Sequence, residues 1–309
     1  YPAAFSPDID SILPVGDMTQ VFFQDGTESW ERDFCILEEP EHLTWYHFGM
    51  RWNSLFNFVL GIVHTNYIAY AVRHGVAGPV KALVLHSVNR VVCRSYCDRV
   101  IKLSGAVQRL PKAVVCNVHG VQERFLEIGD RAVSESFNRG AYFLGKVLWE
   151  KGYRQLLQML RLHYRRTGEA MEITLFGGGP NLVEVQEACA SEPALSQVEV
   201  HGGPLDHADG AIGPFRVFVN AATSDVVCTA TAEALAMGKT VVLRTHPSNE
   251  FFRPFRNVLF FRSAEEFSRA VQAAGEARPL PLSAGERERL TWGAATRRLY
   301  AAARQGEGS

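Results

Sequence analysis

SDVVCTATAEALAMGK, residues 224–239, reads as a loop that opens into a short helix and stops at Gly238, where a helix end needs a left-handed residue. The apolar runs on either side, 217–219 and 241–243, predict buried strands. From Ala230 to Met237 nearly every side chain is small or apolar, so the helix is expected to be buried all round. Glu233 breaks that pattern. A carboxylate in such a helix is costly unless something pairs with it, a ligand hydroxyl being one candidate. Thr229 and Thr231 stand at the helix entrance, where unpaired N–H groups and the positive dipole end suit an anion. Asp225 lies on the entry loop, eight residues before Glu233. A loop acid, an anion-binding helix start and a buried acid one turn in fit a nucleotide-sugar. An ordinary core helix with one satisfied glutamate fits the same residues.

Working outward, a chain of 309 residues is comfortable for two domains, and 47% apolar with 21% charged residues is a soluble-type composition with ample core. A formal charge of −1 excludes a global field for nucleic acid or an anionic membrane, so any basic function is local. Six cysteines are scattered, and only Cys93 and Cys97 are near neighbours, without a second Cys/His pair at zinc-like spacing. Free buried thiols in a reducing compartment follow. No apolar run reaches the roughly 18 residues of a spanning helix. The chain begins at Tyr1 without a signal or transit pattern and is taken as a piece whose first residues are missing.

Residues 1–32 read as a loop-rich lead-in and 33–37 as a short strand. The strand runs into Glu38, Glu39, Pro40, Glu41 and His42, an acidic cluster at an edge where open α/β sheets place their chemistry. A capped helix start, with Pro40 near its first position, is the simpler account of these acids. Residues 42–58 are dense in aromatics, with Trp45, Tyr46 and Trp52 interleaved with His47 and Arg51. They suit a membrane interface and equally an ordinary helix packed on a sheet. A strand at 59–63 ends in His64, placed either to hydrogen-bond a substrate or to sit satisfied in the core. A helix at 80–96 and strands at 99–103 and 113–116 follow. Residues 122–139 read as an inter-domain linker. The alternation restarts with strands at 141–144, 173–176 and 198–200, the opening stretch, and a strand at 258–261. Helices are expected at 153–163, 264–274 and, finally, 287–303. Two such arrays mean an α/β protein with parallel sheets. Lys146 and Lys151, on a loop entering a helix, can converge on a diphosphate. Gly177 and Gly179 permit close backbone approach, yet GGGP lacks the full dinucleotide fingerprint.

Longer motifs then show a family likeness. GAYFLGKVLWEKGYRQLL (140–157), DHAD (206–209), the opening stretch and HPSNEFF (246–252) closely resemble the digalactosyldiacylglycerol synthases of plants and algae, as do LEEPEHLTWYHFG (37–49), GIVHTNY (61–67) and VCNVHGV (115–121). These are family-4 glycosyltransferases. The resemblance implies a GT-B fold, with two Rossmann-like domains facing across a cleft. On this chain they fall at 1–127, a partial N-terminal domain, and 128–286, the nucleotide-sugar domain, with a crossing helix and tail at 287–309. It also implies retaining transfer of galactose from UDP-galactose to monogalactosyldiacylglycerol, without a metal or other cofactor, by a peripheral protein of the chloroplast outer envelope. Asp225 and Glu233 match the family's acid pair, Glu233 on the ribose hydroxyls and Asp225 on the donor sugar. Lys146 and Lys151 match the basic pair on the diphosphate, Gly177 and Gly179 the turn near the nucleotide, and the Thr229 and Ala230 backbone the phosphate site. His64 matches the N-domain active-site histidine. Trp45, Tyr46, His47, Trp52 and His119 are expected on the acceptor and membrane side. Asp225 and Lys146 stand where the wider family commonly has Glu and Arg. The Gly210–Pro214 segment breaks a usual helix, and the first part of the N-terminal domain is missing. Another hexose or lipid acceptor, or a non-catalytic binding fragment, remain the rival readings.

Overall fold

The computed structural model describes residues 3–6, 11–23, 32–44, 49–68, 78–132 and 137–304. The chain forms two compact units, Tyr1–Asn117 together with Arg298–Ser309, and Val118–Arg297.

In the first unit, β1 (Ala3–Ser6) and β2 (Ser11–Pro14) form an antiparallel pair where the sequence suggested only loop. Four-residue strands are too short for an alternation pattern to reveal. β3 (Phe34–Glu38), β4 (Phe58–Val63), β5 (Arg99–Lys102) and β6 (Ala113–Val115) make a parallel sheet in that order. β4 is its buried centre, with Val59, Leu60 and Val63 fully enclosed. The aromatic stretch at 42–58 is not one helix. It yields a short helix Pro40–Thr44, another at Trp52–Leu55 entered through an extended Arg51, and the start of β4. The helix Gly78–Tyr96 then leads to β5.

The second unit is a six-stranded parallel sheet. Its strands are β7 (Arg139–Leu144), β8 (Ile173–Gly177), β9 (Val198–Gly202), β10 (Phe215–Asn220), β11 (Thr240–Arg244) and β12 (Val258–Phe261), in the spatial order β12-β11-β10-β7-β8-β9. Side chains alternate between its faces. Val217, Val219, Val242, Ile173 and Leu175 pack under the helices Tyr153–Thr167 and Ala264–Glu276, while Tyr142, Phe176, Phe218 and Leu243 pack under Glu123–Ala132 and Thr229–Ala236. Strands enclosed on both sides read as unbroken apolar runs, which is why the sequence exposed them.

Two expectations needed revision here. Within 122–139, the residues Glu123–Ala132 are a helix, with Phe125 and Leu126 buried against the Thr229–Ala236 helix. Its charges occupy the outer face of an amphipathic segment and do not mark a linker. The final helix is two, Ala284–Leu290 and Trp292–Arg304. A capping box between Ser283 and Glu286 starts the first, and an extended Thr291 divides them. The break lets Thr291 bridge Val121, whose N–H donates to Leu290 O at 2.8 Å. All six cysteines are free. Among the described residues no helix is long and apolar enough to cross a membrane.

Candidate active site

The chain enters the large sheet at β7, moves outward through β8 and β9, then returns to the opposite side of β7 for β10. Loops leaving β7 and β10 therefore diverge, and open α/β sheets form a crevice at such a reversal. A concavity of about 410 Å³ lies there. It is lined by Gly145 and Lys146 after β7, Gly177 and Gly178 after β8, residues 203–207 after β9, and Thr229, Ala230 and Glu233 after β10. Residues that lie 88 positions apart in sequence, Gly145 and Glu233, meet only because four strand ends do.

The Thr229–Ala236 helix points its first turn at this space. Cys228 occupies the cap position and its side chain makes no cap hydrogen bond. An anion there gains from both the N–H donors and the dipole. Glu233, one turn further in, is 22% exposed along its side chain and holds His207 at 2.9 Å through Oε2. The partner expected for this acid is therefore first a protein group, with the carboxylate still at the pocket wall.

Lys151 and Asp225 are not in that lining. They pair with each other, Nζ to Oδ1 at 2.8 Å, with Asp225 mostly enclosed. Ser224 Oγ donates to Glu150 O at 2.6 Å, tying the two loops together. Gly179 stands one step behind the pocket, against the Val147 backbone. Of the residues expected at the donor site, Lys146, Gly177, Thr229, Ala230 and Glu233 come together in one concavity, and the Lys151–Asp225 pair forms a second polar feature on neighbouring loops.

In the first unit His64 follows β4 and is 40% exposed. Its Nδ1 lies 2.9 Å from Glu39 Oε1, its Nε2 3.3 Å from Glu38, and its backbone N–H also donates to Glu39 Oε1 at 2.8 Å. The Glu39 hydrogen bond raises the imidazole above its usual range, against a smaller opposing effect of burial. Burial pushes the Glu39 carboxyl up, but the hydrogen bonds and charge of His64 outweigh it and hold the group low. Glu39 adopts a positive φ of 55°, uncommon for a non-glycine residue. Glu41 is the second residue of the Pro40–Thr44 helix and is fully buried, and burial followed by the Glu39 charge pushes it to about 8.

Trp45, Tyr46 and His47 lie outside the described residues. Trp52 is 5% exposed with its ring edge-on to Phe22, so its indole belongs to the core of the first unit and not to a lipid-facing surface. His119 is half-buried in the second unit, its ring edge-on to Trp292. Among the described residues no three His, Cys, Asp or Glu side chains converge as a metal site requires.

Three further groups escape a linear reading. His207 contacts Glu233; DHAD marks its stretch as a family motif, but for its role the sequence offers only that a buried acid must have a partner somewhere. Glu39 orients His64 across adjacent strand ends. Lys239, 1% exposed, spends its ammonium on the carbonyls of Ile212, Gly213 and Phe215 at 2.7 to 3.1 Å, beneath the Tyr142 ring. Burial pushes it down to about 7.

Residues 138–276 match the family model of group 1 glycosyl transferases. Digalactosyldiacylglycerol synthase 1, chloroplastic, of Arabidopsis thaliana is 47% identical over 97% of this chain, which spans 36% of that relative. Digalactosyldiacylglycerol synthase 2, chloroplastic, of the same plant is 46% identical over 97% of this chain, which spans 62% of it. The sucrose-phosphate synthase of Thermosynechococcus elongatus superposes with a TM-score of 0.60 at 17% identity, over 92% of this chain and 76% of that one. The fold is that of the GT-B glycosyltransferases, an α/β architecture with two parallel sheets.

Proposed function

We propose that this chain, a relative of the digalactosyldiacylglycerol synthases along 97% of its length, is the donor-binding and transferring part of a galactolipid galactosyltransferase. The observation that carries the reading is the pocket itself. It gathers a lysine, an uncapped helix start and a carboxylate at the strand ends of the region that matches group 1 glycosyl transferases. A nucleoside diphosphate sugar asks for those groups in that order: positive charge and N–H donors for the diphosphate, an acid for the ribose hydroxyls.

In this reading the donor is UDP-galactose and the acceptor monogalactosyldiacylglycerol. The anomeric bond to the diphosphate breaks, a glycosidic bond forms to a hydroxyl of the acceptor galactose, and UDP departs with the proton that hydroxyl gives up. Lys146 and the Thr229–Ala230 backbone stabilise the charge on the departing diphosphate, a preorganised role that calls for no metal. Lys151 is held ready by Asp225 and reaches the diphosphate by exchanging partners; Asp225 then turns to the donor sugar. His64, oriented by Glu39 and raised above its usual range by that hydrogen bond, is the first unit's reactive group. The relatives are named chloroplastic, and we place the whole protein peripherally on the chloroplast outer envelope.

The test is galactose transfer from UDP-galactose to monogalactosyldiacylglycerol by the whole protein, beside calorimetric binding of UDP to the chain described. Glu233→Ala is expected to abolish most of both signals, and UDP-glucose to compete poorly. Full activity in Glu233→Ala removes the site assignment, and equal use of UDP-glucose removes the choice of hexose.

A further inference from the structure

Glu233 is the last link of a buried chain of hydrogen bonds. His207 Nδ1 lies 2.9 Å from Glu233 Oε2, and His207 Nε2 lies 2.7 Å from the Tyr142 hydroxyl. Tyr142 is completely enclosed and His207 is 4% exposed. Rings on three sides hold the imidazole in place: Phe125, Phe218 and Tyr142 itself. Tyr142 and His207 are closed off from solvent, so their polar groups must pair with protein.

That requirement sets the direction of the chain. Burial drives the Tyr142 phenol well above its usual range, so its hydroxyl keeps its proton and donates to Nε2. Burial also lowers the imidazole against the opposing pull of Glu233, so the ring is neutral and has one N–H to give. With Nε2 accepting, that N–H is on Nδ1, and it donates to Glu233. Oε2 is then occupied and fixed, and Oε1, which has no hydrogen-bond partner among the described residues, remains for the pocket that Glu233 lines. Tyr142 lies on β7 and His207 in the loop after β9, two strands away with β8 between, and together they lock a side chain carried by the helix after β10.

We infer that Tyr142 and His207 are positioning residues that fix the Glu233 carboxylate for recognition of the donor's ribose hydroxyls. The inference rests on the donor-site reading above and deepens it. A free glutamate on this helix samples several rotamers and must be ordered by the ligand; one held through Oε2 presents its remaining acceptor without that cost. The groups therefore act on the diol and not on the phosphates or the base.

The experiment is calorimetric titration of the full chain with UDP and with 2′,3′-dideoxyuridine diphosphate, which lacks both ribose hydroxyls. Wild type is expected to prefer UDP. His207→Leu is expected to weaken UDP by about 10- to 100-fold, the scale of one charge-assisted hydrogen bond, while leaving the dideoxy analogue within about twofold. His207→Asn, whose amide places an N–H near the Nδ1 position, is expected to restore most of the loss. Tyr142→Phe is expected to give a smaller loss with the same ligand selectivity. A His207→Leu variant that weakens both ligands alike, or neither, overturns the inference and leaves the donor site standing. If His207→Leu does not fold, Tyr142→Phe and His207→Asn carry the same comparison. Wild type that does not discriminate the two ligands overturns the ribose assignment of Glu233 first, and the inference with it.

Discussion

Replacing Gly177 with alanine tests how the pocket floor is built. Gly177 ends β8 with φ 144°, and a Cβ placed there meets the Gly145 carbonyl oxygen at 2.0 Å. Two costs add. A backbone angle open essentially to glycine alone costs an L-residue about 1–3 kcal/mol, and forcing a methyl into a packed backbone contact costs about 1–3 kcal/mol more. Gly168, at φ 79° with nothing within 4 Å of its Cβ position, isolates the first cost, expected at about 1 kcal/mol in Gly168→Ala. For a unit of this size each kcal/mol lowers Tm by about 2–4 °C. Gly168→Ala should then melt a few degrees below wild type and bind UDP normally. Gly177→Ala should melt about 4–24 °C lower by the same scaling. It should also lose UDP affinity, since the carbonyl it displaces belongs to the residue beside Lys146. The assays are differential scanning calorimetry and UDP titration of the three proteins side by side. Gly177→Ala that melts and binds like Gly168→Ala would refute the close approach of the β7 and β8 loops as the reason for this glycine.

Lys146→Ala should weaken UDP by about 10- to 100-fold but leave uridine unaffected, because the lysine acts on phosphate charge; equal losses for both ligands would deny it that role. The His64–Glu39 pair should show its stability in a defined pH window. His64 is raised, so its contribution is complete below its ordinary value of 6.5 and is lost as pH climbs through the raised one; Glu39 is lowered, so its contribution is complete above 4.5 and is lost as pH falls through the lowered one. Glu39→Gln should therefore destabilise most between about pH 4.5 and 6.5, by no more than about 1 kcal/mol because His64 is 40% exposed. Its imidazole titration, followed by NMR, should also move down; an unchanged titration would remove Glu39 as its partner.

Much of this protein is legible in one dimension because its strands are enclosed on both faces. Residues 217–219 and 241–243 could be read as strands without any partner, and the Gly238 stop located the helix between them. The linear reading failed where a segment's character comes from what it packs on. Glu123–Ala132 looked like a linker because only half its residues face the neighbouring helix. Thr291 looked helical because nothing local announces its bridge to Val121. At the site, Lys146 and Gly177 could be nominated because each sits just past an apolar run, Thr229 as a helix entrance and Glu233 as the one acid in an apolar helix. Their convergence could not, for it depends on strand order.

Glu233 shows the division plainly. Sequence alone determined that Glu233 is an acid in a helix with no room for one, and that the two-array α/β pattern puts that helix at a sheet edge. A buried charge implies a partner, but the chain does not say which of its remaining residues supplies it, because that residue need only be near in space. Tertiary structure decided that His207, 26 positions earlier, fills the role and is itself set by Tyr142, 65 positions before that. Local propensity and burial are properties of a segment and travel with it. Hydrogen-bond partners are properties of a packing, and they exist only once β10, β7, β8 and β9 lie side by side in the order the folded sheet gives them.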